Sequence, residues 1–209
     1  MTLHRHLGIL RRRCAHIRSA IKEVGLPEPR SLDPGFPTII NIICTQQVST
    51  AAGETIFQRV VQACRGKITP KAILGLQEPG LRACGFSGPK ARYALGAAEA
   101  VMAGTLDFDA LHAADDDGAR AMLTALKGIG NWSADIYLMF AMGRPDIWPV
   151  ADIALQHGVR LLLGKRARPS LEAMEKAAES WRPYRSGAAI LLWRYYGNTL
   201  KTRVGKSPK

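Results

Sequence analysis

The chain has 209 residues, with 29 Lys and Arg against 17 Asp and Glu, a formal charge of +12. An excess that large favours a polyanionic partner, nucleic acid or an anionic membrane surface, while 47% hydrophobic residues exclude a disordered basic tail. No apolar run approaches the roughly 18 residues of a membrane helix, the charged N-terminus lacks the apolar stretch of a signal peptide, and Cys14, Cys44, Cys64 and Cys84 form no CxxC pair for zinc or an iron–sulfur centre.

In chain order the sequence reads as helix after helix. Leu3, Leu7, Leu10, Cys14, Ile17 and Ile21 recur at three- and four-residue steps and predict one helix over residues 3–22. Pro27, Pro29 and Pro34 break the next stretch into a loop. From Pro37 a helical run continues to a polar interruption at Gln46 and Gln47, after which Ser49 or Thr50 caps a second helix. Pro70 and Pro79 each start a short helix, the second ended by Gly85. Ser87-Gly88-Pro89 opens a helix that Gly104 closes, and Asp115–Asp117 form the acidic start of the next. Another helix follows Gly130 and ends at Gly143 and Pro145. Asp152 opens one that Gly164 ends, Ser170 caps one more, and the last runs from Pro183 to Gly197. No alternating apolar pattern survives between turn signals. The expected fold is all-α, a bundle of about ten short helices in a single domain over residues 1–209, with a helical core over 35–197 and a basic tail over 198–209. Cys44, Cys64 and Cys84 lie twenty residues apart, but their flanks share too little to make a repeat.

The first chemical signal is LKGIGNWSA, residues 126–134. Two helices meet through a turn with glycines two apart, Gly128 and Gly130. Glycine adopts left-handed backbone and lets another molecule approach closely. The next helix starts at once, so its unpaired N–H groups and positive dipole end suit a phosphate. A tight αα-hairpin with no ligand is the plainer alternative.

From this hairpin onward, residues 126–152, LKGIGNWSADIYLMFAMGRPDIWPVAD, resemble the helix-hairpin-helix, Gly/Pro-rich loop and aspartate of helix-hairpin-helix DNA glycosylases. Three further segments, ICTQQVSTAAGETIF, GFSGPKARYALGAAEAV and WRPYRSGAAILLWRYY, are similar to the 3-methyladenine DNA glycosylase II family within that superfamily. The resemblance covers residues 35–197 in the expected order. Members of that family also occur with an extra N-terminal β-rich domain, so the short form is expected here.

The resemblance places Asp152 at the catalytic aspartate. Read alone, an aspartate after PDIWPVA is a helix cap. Glycosidases commonly need two carboxyls, one of them to protonate the leaving group. A purine alkylated at N3 or N7 is already cationic and leaves without that proton. One carboxylate then suffices, stabilising the sugar cation and orienting water. Asp135 reads as an exposed helix residue and Asp146 as a loop residue.

Bifunctional relatives carry a lysine nucleophile two residues after the second glycine. Here that position is Trp132, and Lys127 lies before the glycines, so the resemblance implies a monofunctional enzyme that leaves an abasic site. It also assigns Trp132 and Trp193 to the base pocket, where an indole face stacks a cationic base; core packing is the alternative for both. Ile136 stands where relatives often have a Tyr. A base must leave the duplex to reach such a pocket, and the resemblance makes Gln47 the wedge that fills the gap. The alternative is a polar helix end in solvent.

Lys90, Arg92 and Tyr93 read as part of a charged, solvated helix face. His157 reads as structural, and His4, His6 and His16 are too scattered for a metal site. The Leu126 and Ile129 carbonyls would suit a structural Na+ or K+, as in similar hairpins, with no other cofactor implied. Taken together, the expectation is a monomeric, monofunctional glycosylase for alkylated purines in double-stranded DNA, cytoplasmic with the nucleoid in a bacterium or nuclear in a eukaryote. A glycosylase/lyase and a non-enzymatic DNA-binding module are the rivals.

Overall fold

The structure is a computed structural model and describes residues 2–204; residues 205–209 of the expected tail lie outside the described residues. It holds twelve α-helices and one 3-10 turn, with no strand among the described residues. The all-α expectation is met. The chain divides into two compact units, residues 31–143 and residues 1–30 with 144–209.

The unit of residues 31–143 holds seven helices, here α3 (Phe36–Thr45), α4 (Thr50–Ala63), α5 (Pro70–Ala83), α6 (Gly88–Met102), α7 (Phe108–Ala113), α8 (Asp116–Thr124) and α9 (Asn131–Phe140). Its centre is α3, which buries Phe36, Ile39, Ile40, Ile42, Ile43 and Cys44 and packs on α4, α6 and α9. An alanine face on α6, with Ala91, Ala94, Ala97 and Ala98 buried, lets α5 come close. The Tyr137 hydroxyl accepts the Gly35 N–H at 2.7 Å, which anchors the start of α3 to α9.

The other unit holds α1 (Leu3–Arg13), α2 (Ala15–Val24), α10 (Ile153–Leu162), α11 (Leu171–Ala178) and α12 (Arg185–Val204). Leu7, Leu10, Ile17, Leu155, Val159, Leu191 and Leu192 are fully buried here. Helices α10 and α12 approach so closely that a Cβ on Gly158 would lie 2.8 Å from the Leu192 carbonyl oxygen.

Caps bound the helices where the sequence placed them. Ser49, Thr69, Ser87, Asp115 and Ser170 each accept a hydrogen bond from a first-turn N–H. The segment opened by Pro70 and the one opened by Pro79 join through a kink at Gln77 (φ 54, ψ −178). Three expectations are corrected. The predicted helix over 3–22 breaks at Cys14, whose extended backbone (φ −128, ψ 117) folds α2 back on α1 so that both apolar stripes are buried. A short helix, α7, forms under an Asp107 cap where none was expected. Gly197 does not end the last helix, which runs on to Val204.

Candidate active site

The chain entering α10 is a loop pinned at several points. Arg185 Nε and Nη2 clasp the Asp146 carboxylate at 2.8 and 3.0 Å, and Nη2 also donates to the Asp146 carbonyl at 2.8 Å. Arg182 Nη1 reaches the same carboxylate at 2.9 Å. The buried Ser186 hydroxyl donates to the Arg144 carbonyl at 2.7 Å and accepts the Ile147 N–H at 2.9 Å. The rings of Trp148 and Trp181, both buried, meet edge to face beside it at 5.5 Å. Asp146, read from sequence as a loop residue, is the anchor of that loop.

The loop delivers Asp152 as the N-cap of α10. Its Oδ1 accepts the Leu155 N–H at 2.6 Å and, from 41 residues along the chain, the Trp193 Nε1–H at 2.9 Å. Two donors on one oxygen fix the carboxylate's rotation. An indole donates in its own plane, so the same bond fixes the plane of the Trp193 ring. Asp152 and Trp193 are thus brought together, both half-buried. Gln156, itself buried, donates to the Val150 carbonyl at 3.1 Å and steadies the cap from inside. His157 stacks on Tyr196 at 5.2 Å, in keeping with a structural role.

The hairpin lies in the other unit. Gly128 has φ 89, and a Cβ there would overlap the Tyr93 ring. Gly130 differs: its φ of −91 suits any residue, and nothing lies within 4 Å of where its Cβ would be. Gly128 therefore shapes the turn, and Gly130 keeps its outer side open. Gly130 caps α9 without a side-chain hydrogen bond, and no acidic residue stands in the first turn. As at α1, α2 and α3, this start is left to its backbone N–H groups and dipole. The buried Ile129 plugs the turn, with its N–H on the Leu126 carbonyl at 3.0 Å. Trp132 follows in the first turn of α9, half-buried. Asp135 is not exposed as expected: it is 5% exposed and takes the Arg120 Nε at 2.9 Å, which ties the two hairpin helices together.

Gln47 sits exposed in the turn between α3 and α4, at φ 54, a left-handed conformation that costs a non-glycine residue energy. Lys90 is also corrected. It is no solvated side chain: its ammonium, with a pKa pushed down by burial, donates to the Cys44 carbonyl at the end of α3 at 3.0 Å. The contacts of Gln46, Lys90 and Tyr93 were missed in sequence reading, since each meets a partner distant in the chain. Arg92 is a surface side chain, beside Glu78 at 3.4 Å. Among the described residues no group of three or more His, Cys, Asp or Glu is placed to hold a metal ion.

Residues 40–183 match the model of the HhH-GPD superfamily base excision DNA repair proteins. The YfjP protein of Bacillus subtilis is 32% identical over 187 residues, which is 84% of this chain; the chain spans 64% of that relative's length. DNA-3-methyladenine glycosylase 1 of Schizosaccharomyces pombe is 30% identical over 180 residues, covering 83% of this chain and 79% of its own. Among solved structures, the 3-methyladenine DNA glycosylase Mag1 of the same yeast, in complex with abasic DNA, superposes with a TM-score of 0.84 at 28% identity, over 90% of this chain and 95% of that one.

Proposed function

The chain belongs to the HhH-GPD superfamily of base excision DNA repair proteins, and from that premise we propose that it is a monofunctional DNA glycosylase that removes alkylated purines, of the 3-methyladenine and 7-methylguanine type, from duplex DNA. The observation that carries the reading is the Asp152 carboxylate, held in one orientation by the Leu155 and Trp193 N–H groups.

The alkylated base leaves as a neutral purine because its positive charge is lost with the glycosidic bond. Charge develops on the sugar instead, and a fixed carboxylate stabilises it without having to reorganise. Asp152 also orients the water that attacks the sugar. Trp193 and Trp132 each offer an indole face on which a flipped base can stack, and a cationic base gains from such a face. Gln47 plugs the vacated stack; its exposure and left-handed backbone support that role. The hairpin at Gly128 and Gly130 takes a DNA phosphate on the start of α9. Trp132 offers no amine where a lyase needs one, so the product is an abasic site in an uncut strand. The Leu126 and Ile129 carbonyls are the groups that would hold a monovalent cation, and no step runs through it.

The whole of residues 1–209 acts as one glycosylase domain and as a monomer in this reading, wherever the genome resides. No helix among the described residues is long and apolar enough to cross a membrane. The test is a panel of duplexes carrying single lesions. Free alkylated base should be released, with strand breaks only after alkali. Breaks before alkali would favour the lyase, and no release from any lesion would favour a binding module.

A further inference from the structure

Gln46 and Gln47 are neighbours in sequence and face opposite ways in the fold. Gln47 is exposed, whereas Gln46 is half-buried and turns inward. The Gln46 Nε2 donates to the Gly128 carbonyl at 2.8 Å and to Ser133 Oγ at 3.1 Å. A peptide carbonyl only accepts, so the nitrogen side of the amide must face Gly128. Gly128 is the glycine whose left-handed backbone shapes the hairpin turn, and Ser133 is buried in the first turn of α9. One side chain therefore ties the α3–α4 turn to both ends of the hairpin turn.

Other contacts hold the same turn. Lys90 Nζ secures the Cys44 carbonyl. Gly53 runs so close to Thr45 that an added Cβ would lie 2.7 Å from the threonine methyl. Tyr93, one turn along α6 from Lys90, lies against Gly128. A left-handed backbone on a residue such as Gln47 persists only where its surroundings over-determine it, and these contacts supply that constraint.

We infer that Gln46 is a positioning residue that couples the plug at Gln47 to the phosphate-binding turn of the hairpin, so that both engage duplex DNA as one rigid piece. The inference rests on the reading of Gln47 as plug and of the hairpin as phosphate cradle. Gln46 acts through its neighbour. A plug ordered during folding does not have to be ordered during binding, which leaves more of the contact energy for opening the duplex.

A double-mutant cycle tests this. Gln46→Met keeps the length of the side chain and removes the donor. Single-turnover excision is measured on a lesion duplex and on the same lesion in a single strand, in the parent and in the Gln47→Ala background, with melting curves for all variants. Gln46→Met should slow duplex excision about fivefold to tenfold and single-strand excision less. With Gln47 already truncated, the same change should cost less than about twofold, because no plug remains to be placed. An equal cost in both backgrounds would overturn the coupling and leave Gln46 a structural tie. If Gln47→Ala alone slows duplex and single strand equally, the plug reading itself falls and the inference with it, a failure visible without any change at Gln46. Should the Met variant not fold, Gln46→Glu, which keeps the shape of the head group and replaces the donor nitrogen with an oxygen, carries the same cycle with the same additive result against it.

Discussion

Replacing Asp152 by Asn removes a charge and keeps a shape. The asparagine Oδ1 still accepts from Leu155 N–H and Trp193 Nε1, now 2.6 and 2.9 Å from the carboxylate oxygen. Asn caps helices about as well as Asp, and the two bonds change from charge-assisted to neutral, so the fold should lose about 1 kcal/mol. The rate should lose far more. Removing one preorganised electrostatic partner typically costs about 10²–10³ in turnover, and in the proposed mechanism a full charge facing the developing sugar cation is lost. Asp152→Ala separates the two effects from the other side. It loses the cap, about 1 kcal/mol, and takes an acceptor from the Trp193 N–H, about 1–3 kcal/mol more. The Ala variant should therefore melt well below the Asn variant while both are nearly inactive. Single-turnover excision with enzyme in excess gives the chemical step, and thermal melting and duplex affinity give the rest. A folded Asn variant that excises within about threefold of the parent rate would refute the reasoning, since losing the preorganised charge should cost far more than that, and would leave Asp152 a helix cap alone.

The two hairpin glycines should respond oppositely to alanine. Gly128→Ala meets both a φ of 89 and the Tyr93 ring and should cost about 2–4 kcal/mol in a melting experiment, whereas Gly130→Ala, with open space around it, should melt like the parent and bind duplex DNA more weakly; equal melting losses would undo that division. On the proposed reading of Trp132 at the nucleophile's position, borohydride should trap no covalent adduct on an abasic duplex, and efficient trapping would instead point to another amine such as Lys127. His6 is buried, stacked on Tyr184 at 4.6 Å, and burial lowers its pKa below 6.5. The folded state therefore favours the neutral ring, so its stabilisation is complete above the unfolded pKa and declines as pH falls through it, by at most about 1.4 kcal/mol per pH unit; chemical denaturation of the parent and His6→Gln from pH 7.5 to 5 should show a slope that the variant reduces, and parallel slopes would reject it.

Much of the fold was legible because its signals are local. A serine, threonine or aspartate before a helical stretch acts within three residues, and Ser49, Thr69, Ser87, Asp115, Asp152 and Ser170 all do so here. The break at Cys14 was not legible, since cysteine has no helix-breaking chemistry and the bend is set by the packing of α1 on α2. Gly197 misled because glycine weakens a helix by only about 1 kcal/mol, too little by itself to end one. The site divides along the same line. Asp152 could be found from its place in the chain, but its partner Trp193 lies 41 residues further on, beyond α10 and α11. Nothing local distinguishes Gln46 from Gln47, and Asp135 looked exposed because its partner, Arg120, sits on the preceding helix.

The loop before Asp152 also acts as a ruler. Arg144, Asp146 and Ile147 are all bonded to Arg185 or Ser186, and only Trp148, Pro149, Val150 and Ala151 separate that clamp from the cap. Each extra residue spans about 3.3–3.6 Å of chain, more than the whole length of the bond from Trp193 to the carboxylate. Loop length is therefore as strictly constrained as any side chain here, and evolutionary drift in this stretch has to proceed by substitution, with insertions and deletions confined to loops that carry no such clamp.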